Sequence, residues 1–366
     1  MPYTTITFYK YAHLTNLETL KEELTLLCKE LKILGRILIG EEGINAGMCG
    51  TTETINHFKQ ELLEKKEFSN LTFREQETAT NTYHKLVIRV RKEIVAFGTP
   101  VNPTITGEAI SPHELDTLFE QKEIVLVDAR NDYETNVGTF QNAITLPIKT
   151  FREFPNASTH LEPYKQKKII LFCTGGIRCE KASAYLKQQG YPSVYQLQGG
   201  IINYLQQSGK HFTGSCFVFD DRLITSTSHP ITHCTLCSTL TDTYTNCFNM
   251  DCDKLFLSCS GCKQLMNNTC CDQCKTAPRQ RRIKKEEKIL GKIINYYPKA
   301  HAAYVTLVQP LKKNITCMIK GTTTNYTETL TELRNEDGYS IDEALPGSMI
   351  TIKVSTIVRK NDLLLA

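Results

Sequence analysis

The sequence predicts a multidomain α/β protein of 366 residues: a ferredoxin-like α+β domain, a parallel α/β domain, a cysteine-rich module and a small C-terminal β-barrel. Three observations predict it. The first hundred residues carry hydrophobic runs in the order β-α-β-β-α-β. The next hundred alternate short continuous apolar runs with helical stretches, as a parallel sheet buried on both faces requires. Then composition shifts: nine of the 15 cysteines fall between Cys234 and Cys274, before a last segment of short β-rich runs separated by turn residues.

Element by element, Thr4 to Tyr11 is β-rich, and Leu17 to Leu34 is helical with Leu20, Leu24, Leu27 and Leu31 on one face. Arg36-Ile-Leu-Ile-Gly40 is a strand running into Glu41-Glu-Gly-Ile-Asn45. A helix over 52–65 comes next, then strands at Leu71 to Arg74 and Lys85 to Arg91. Lys85, Arg89 and Arg91 share one strand face, either a binding surface or simply a solvated one. These elements place the first domain at residues 1–99.

Residues 100–110 read as a linker, because the stretch from Pro100 to Pro112 holds three prolines and a glycine. The second domain occupies 111–212. It opens on Ser111-Pro-His-Glu114, a capping box with proline first in the helix. Its strands are Ile124 to Val127, Ile144 to Leu146, Ile169 to Phe172 and Val194 to Leu197.

Its centre is Ile169-Ile-Leu-Phe-Cys173-Thr-Gly-Gly-Ile-Arg178-Cys179-Glu-Lys-Ala-Ser183, which reads as strand, loop and helix, the helix from Cys179 to Gln189. Gly175 and Gly176 can turn successive amide N–H groups toward the Cys173 sulfur. Those amides, the helix N-terminus and the Arg178 guanidinium all favour a thiolate. A half-buried cysteine at a strand end is the common fate of the residue, but it requires neither the paired glycines nor the arginine at fixed spacing.

The cysteine-rich module, 213–278, contains Cys234-x-x-Cys237, Cys247, Cys252, Cys259-x-x-Cys262 and Cys271-x-x-Cys274. These eight thiolates suffice for two tetrahedral zinc sites, with Cys270 or His233 left over or substituting. Clustered cysteines in a reducing compartment favour metal over disulfides. Residues 279–292 form a basic linker in which Arg279, Arg281, Arg282, Lys284 and Lys285 are candidate RNA contacts. Residues 293–366 hold the barrel.

A net charge of +4 and 40% hydrophobic residues describe an ordinary soluble protein. The chain has neither an apolar stretch long enough to span a membrane nor a signal-peptide pattern, so no membrane role is expected and a cytoplasmic location is. Nothing in the sequence sets an oligomeric state.

Four residues separate Cys173 from Arg178, one fewer than in cysteine phosphatases, and this tighter loop resembles that of the rhodanese sulfurtransferases. Val125-Leu-Val-Asp128-Ala-Arg130, Gly138-Thr-Phe-Gln-Asn-Ala-Ile144 and Val194-Tyr-Gln-Leu-Gln-Gly-Gly200 resemble other segments of that domain. Together with Thr150-Phe-Arg-Glu-Phe-Pro155 and the cysteine module, residues 1 to 278 resemble the bacterial tRNA uridine hydroxylase family, which makes wobble 5-hydroxyuridine using molecular oxygen. The resemblance implies that Cys173 is the active-site residue and that the tRNA anticodon arm is the partner. Arg178 would hold the anionic sulfur or a substrate oxygen, while Asp128, Arg130 and Glu134 would brace the loop. Cys179 stands where many rhodaneses have serine, and would trap an oxidised Cys173 or simply pack. Asp337-Gly-Tyr-Ser-Ile-Asp-Glu-Ala-Leu-Pro-Gly347 resembles the C-terminal barrel of the collagenase-like peptidases.

Two other functions compete. A sulfurtransferase that takes sulfur from thiosulfate as a persulfide and passes it to a thiol acceptor or to a tRNA-thiolation relay would use the same loop. A zinc-bearing RNA-binding adaptor would need neither Cys173 nor Arg178, both of which are present.

Overall fold

Strand and helix boundaries come from a computed structural model that describes residues 2–102, 105–121, 124–226, 229–281, 289–321 and 324–366. The chain forms two units, Met1–Gln280 and Arg281–Ala366. No helix among the described residues is long and apolar enough to cross a membrane.

The first unit begins with β1 (Tyr3–Tyr11), α1 (Leu17–Glu30), β2 (Leu34–Gly40), β3 (Gly43–Thr51), α2 (Thr52–Glu64), β4 (Arg74–Thr78) and β5 (Leu86–Val90). The sheet order is β4-β1-β3-β2-β5. All pairings are antiparallel except that of β5, which adds to the edge parallel to β2. Leu24 is fully buried, and Leu20, Leu27 and Leu31 pack beside it on the same core. Thr51 caps α2 by accepting the Thr54 N–H at 3.3 Å. The fourth strand starts at Arg74 rather than Leu71, because the Leu71 N–H is already donated to Phe68 O at 2.9 Å in the preceding turn.

Next come β6 (Glu108–Ile110), α3 (Pro112–Gln121), β7 (Ile124–Asp128), α4 (Asp132–Asn136), β8 (Gly138–Phe140), β9 (Ile144–Thr145), α5 (Phe154–Ala157), β10 (Lys168–Phe172), α6 (Ile177–Gln188), β11 (Val194–Leu197) and α7 (Gly200–Gln207). The parallel sheet runs β6-β11-β10-β7-β9, with buried apolar clusters on both faces. Its edge strand β6 lies inside the stretch expected to be linker. Three residues paired with β11 give too short a run to stand out beside the prolines. The capping box at α3 forms as the sequence indicates: Ser111 N–H donates to Glu114 Oε2 at 2.8 Å, and Glu114 N–H to Ser111 Oγ at 3.2 Å.

Strand β12 (Phe212–Phe217) pairs antiparallel with β8 and with Ile224–Ser226, so it ties the α/β domain to the cysteine-rich segment. That segment contains the ladder Tyr244–Asn246 with Leu255–Leu257 and two short helices. Tyr244 OH anchors it by donating to Tyr133 O at 2.7 Å.

The second unit is an eight-stranded antiparallel sheet curled about a core that includes Ile293, Val305, Ile319, Leu333, Ile352 and Leu364. Its longest strand starts at Ile289, within the expected basic linker, and bulges beside Ile293 and Ile289 let it bend. Among the described residues no ladder joins the two outer strands, Asn325–Thr329 and Ser340–Ile341. The expected barrel is therefore a curled sheet.

Candidate active site

Strand β10 occupies the middle of the parallel sheet and delivers Cys173 to its carboxyl edge, where open parallel sheets bind ligands. Gly176 has φ +98°, a left-handed conformation that suits glycine, and this turns its N–H onto the Cys173 sulfur at 3.1 Å. A second turn fixes the loop from below. Ile201 N–H donates to Cys173 O at 2.9 Å and Ile202 N–H to Thr174 O at 3.1 Å, both from the first turn of α7. A Cβ on Gly200 would lie 2.4 Å from Cys173 O, which explains a glycine there.

The sulfur is fully buried, and burial opposes its charge. The Cys179 thiol, the Arg178 charge and the amides of Arg178 and Gly176 outweigh that cost, and the Cys173 thiol is pulled down to about 5. At neutral pH it is a thiolate. Cys179 moves the other way, because burial and the neighbouring thiolate hold its proton.

Arg178 is engaged by Glu134. Its Nη1 donates to Oε1 at 2.5 Å and its Nη2 to Oε2 at 2.7 Å. Thr174 Oγ1 also accepts from Nη2, at 3.2 Å. Burial opposes the guanidinium charge, but Glu134 reverses the balance and raises its pKa. Arg178 thus acts on the sulfur through its backbone N–H and its field. Asp128 and Arg130 are both fully buried. Arg130 Nε donates to Asp128 Oδ1 at 2.9 Å and Nη2 to Gly138 O at 2.6 Å, while Thr139 Oγ1 donates to Asp128 Oδ2 at 2.7 Å. This clamp ties β7 to β8. Neither residue lines the cavity beside Cys173.

That cavity has a volume of about 840 Å³ and lies between the first sheet and the Cys173 loop, with Cys173, Thr174, Gly175 and Arg178 in its wall. The two domains are locked around it. Tyr9 OH donates to Glu180 Oε1 at 3.1 Å, and the buried Lys181 ammonium reaches Glu42 and Glu93, each at 2.9 Å. Arg36, Arg74, Arg91, Lys92 and Arg152 line the cavity and form no ion pair among the described residues. The acidic residues of the lining are already matched: Glu75 by Lys59, Glu93 by Lys181 and Asp220 by Arg222. Burial and the like charges of Arg89 and Arg91 lower the pKa of Arg36. The space is therefore cationic. Of the lining residues, Arg91 stands out in the sequence, because it alternates with Lys85 and Arg89 along one strand.

Residues 3–94 match the UPF0176 acylphosphatase like domain, 111–207 the rhodanese-like domain and 213–275 the rhodanase C-terminal domain. A Cytophaga hutchinsonii protein named tRNA uridine(34) hydroxylase is 38% identical over 286 residues, covering 76% of this chain and 92% of the relative. The chain belongs to the tRNA uridine(34) hydroxylase family. A Protochlamydia amoebophila member with the same name is 41% identical over 263 residues, covering 69% of this chain and 82% of its own. The C-terminal domain of a Geobacillus thermoleovorans protein, described as a U32 peptidase, is similar at 20% identity and a TM-score of 0.21, covering 22% of this chain and 99% of that one.

Beyond the loop, this tRNA uridine(34) hydroxylase family member gathers eight cysteines into two quartets: Cys234, Cys237, Cys259 and Cys262, and Cys247, Cys252, Cys270 and Cys274. Within each quartet the sulfurs lie within 4.8 Å of one another. A four-thiol set at this spacing fits a tetrahedral soft-metal site. Cys271, expected from spacing to be a ligand, lies outside the quartet, and Cys270 stands in its place. Cys271 precedes the helix Asp272–Lys275 and is exposed, whereas the Cys270 and Cys274 sulfurs approach to 3.7 Å. His233 is in neither set. In the basic run, Arg279 pairs with Asp251 at 2.5 Å and Arg281 is exposed; Arg282, Lys284 and Lys285 lie outside the described residues.

Proposed function

We propose that this protein hydroxylates the wobble uridine of tRNA to 5-hydroxyuridine with molecular oxygen, using Cys173. The observation that carries the reading is a thiolate in the wall of a cationic cavity whose volume suits a nucleotide-sized ligand, in a chain of the hydroxylase family. The thiolate adds to C6 of the flipped pyrimidine, making C5 electron-rich. C5 then takes one oxygen atom, and loss of its proton with expulsion of the thiolate restores the ring. The second oxygen atom leaves as water, with two electrons drawn from an external thiol reductant. Arg178 and the loop amides keep the sulfur anionic before addition and after expulsion.

The RNA backbone is gripped by Arg36, Arg89, Arg91 and Lys92 beside the cavity. Arg279, Arg281, Arg282, Lys284 and Lys285 are further candidate contacts to the RNA backbone. Three arginines crowded on neighbouring strands without carboxylates suit a polyanion. Each cysteine quartet holds one structural zinc ion, which fixes the segment after β12. A cytoplasmic setting fits 15 cysteines with no disulfide among them.

The test is the nucleoside content of tRNA from cells with and without the gene, measured by mass spectrometry. Loss of 5-hydroxyuridine on deletion is expected. Unchanged nucleosides, together with rapid thiocyanate release from thiosulfate and cyanide, would instead make it a sulfurtransferase.

A further inference from the structure

Phe219 is the sole exposed phenylalanine among the described residues, with 54% of its surface open. It sits in the turn between β12 and Ile224–Ser226, and lines the cavity together with Cys173, Thr174 and Arg178. Burial of an aromatic ring is strongly favourable, so a ring left open beside a reactive sulfur calls for a reason. Its neighbour Phe217, two residues back, is 4% exposed and meets the Phe219 ring edge-on at 5.2 Å.

The turn that carries Phe219 is fixed by polar tethers. Val218 N–H donates to Leu223 O at 2.9 Å and Leu223 N–H to Asp220 O at 3.1 Å. Asp221 N–H reaches across to Thr82 O at 2.9 Å, and Arg222 Nη1 to Gln76 Oε1 at 2.7 Å, both in the first domain. The ring is thus held over the cavity. The Arg178 guanidinium lies 5.6 Å from its centre, so an aromatic face, a cationic plane and the thiolate loop border one space. Unpaired bases are bound in such settings: one π-face lies on an aromatic ring and a guanidinium lies close by.

We infer that Phe219 is the surface on which the flipped pyrimidine stacks while Cys173 reaches its C6. The inference rests on the hydroxylase reading and adds to it the residue that holds the base. It also explains why a turn from beyond the α/β domain reaches back to the site.

The sequence contains no tryptophan, so Phe219→Trp in the full chain keeps an aromatic face and installs a single fluorescent reporter at the contact. An anticodon stem-loop with uridine at the wobble position should quench its emission. The same stem-loop with an abasic wobble nucleotide should bind yet leave emission nearly unchanged. Equal quenching by both overturns the inference. In turnover, Phe219→Leu should lower kcat/KM for tRNA roughly 5- to 150-fold, the span of one lost base–aromatic stack, and Phe219→Tyr should restore it. The pH profile of Cys173 alkylation should be the same in Phe219→Leu as in the parent, which separates stacking from damage to the loop. Wild-type kcat/KM in Phe219→Leu sinks the stacking role and leaves the hydroxylase reading intact. Absence of 5-hydroxyuridine product from the parent protein removes both.

Discussion

Two regions of this molecule handle cysteine sulfur in opposite ways. At the end of β10 a single thiolate is wholly buried, and backbone amides, one thiol and a guanidinium carry its charge. In the segment after β12, eight sulfurs form two quartets packed within 4.8 Å, where four thiolates would repel one another without a cation. The first arrangement keeps one buried sulfur, held by hydrogen bonds, in the wall of a cavity. The second gathers four sulfurs around one point, as a metal site requires. Reactivity here depends on what stabilises the charge, since both regions are built from the same side chain.

The largest expected effect tests that division directly. Cys173→Ala should reduce tRNA 5-hydroxyuridine by at least about a thousandfold, as removal of a nucleophile does. The variant should still fold, with the far-UV circular dichroism of the parent. Read out by mass spectrometry in a complemented deletion strain, retained product would place the chemistry elsewhere.

The quartets predict the reverse, a loss of structure before chemistry. Cys270→Ser should release one of the two metal ions and lower Tm by on the order of 5 °C or more, given about 2 to 4 °C per kcal/mol in a unit this size. Cys271→Ser should keep both ions and the parent Tm. Metal analysis beside calorimetry checks the pair. If Cys271→Ser loses metal and Cys270→Ser does not, the quartet as drawn is wrong.

That choice shows where sequence reading reaches its limit. The C-x-x-C spacing marks Cys234 with Cys237 and Cys259 with Cys262, because two sulfurs on one knuckle meet locally, but that these two pairs form one quartet is visible only in the fold. Cys270 and Cys271 are adjacent in sequence, and only the phase of the short helix after them decides which one faces the quartet. The Cys173 loop is legible for the same local reason: its glycines, arginine and helix start lie within a few residues. The cavity is hidden from sequence, because Tyr9, Arg36, Arg74 and Phe219 come from segments that meet only after three layers of chain are assembled. Strand β6 is hidden differently, by prolines that mimic a linker.

A smaller effect concerns the sulfur's titration. An ordinary thiol titrates near 9, whereas Cys173 is held at about 5. Its alkylation by iodoacetamide should therefore already be on a plateau from about pH 6 upward. A midpoint above pH 8 would show that the amides and Arg178 do not stabilise the thiolate. The same shift links stability to pH. Between about 5 and 9 the unfolded chain keeps this proton and the folded protein does not, so the sulfur's contribution rises with pH across that window. It is complete above 9 and lost as pH falls through 5.

The smallest expected effect isolates Cys179. Its thiol keeps its proton because burial and the Cys173 thiolate both disfavour a second negative charge, and that proton is donated to Cys173. Cys179→Ala removes the donor and leaves the amides and Arg178 in place, so the alkylation midpoint of Cys173 should rise by about one unit, or about 1.4 kcal/mol. Cys179→Ser restores a hydroxyl donor and should recover most of the shift. A midpoint that moves in neither variant would mean that the amide cup alone holds the charge. A midpoint that moves equally in both would mean that Cys179 acts through packing, and the contrast with the quartets would then rest on Gly176, Arg178 and the dipole of α6.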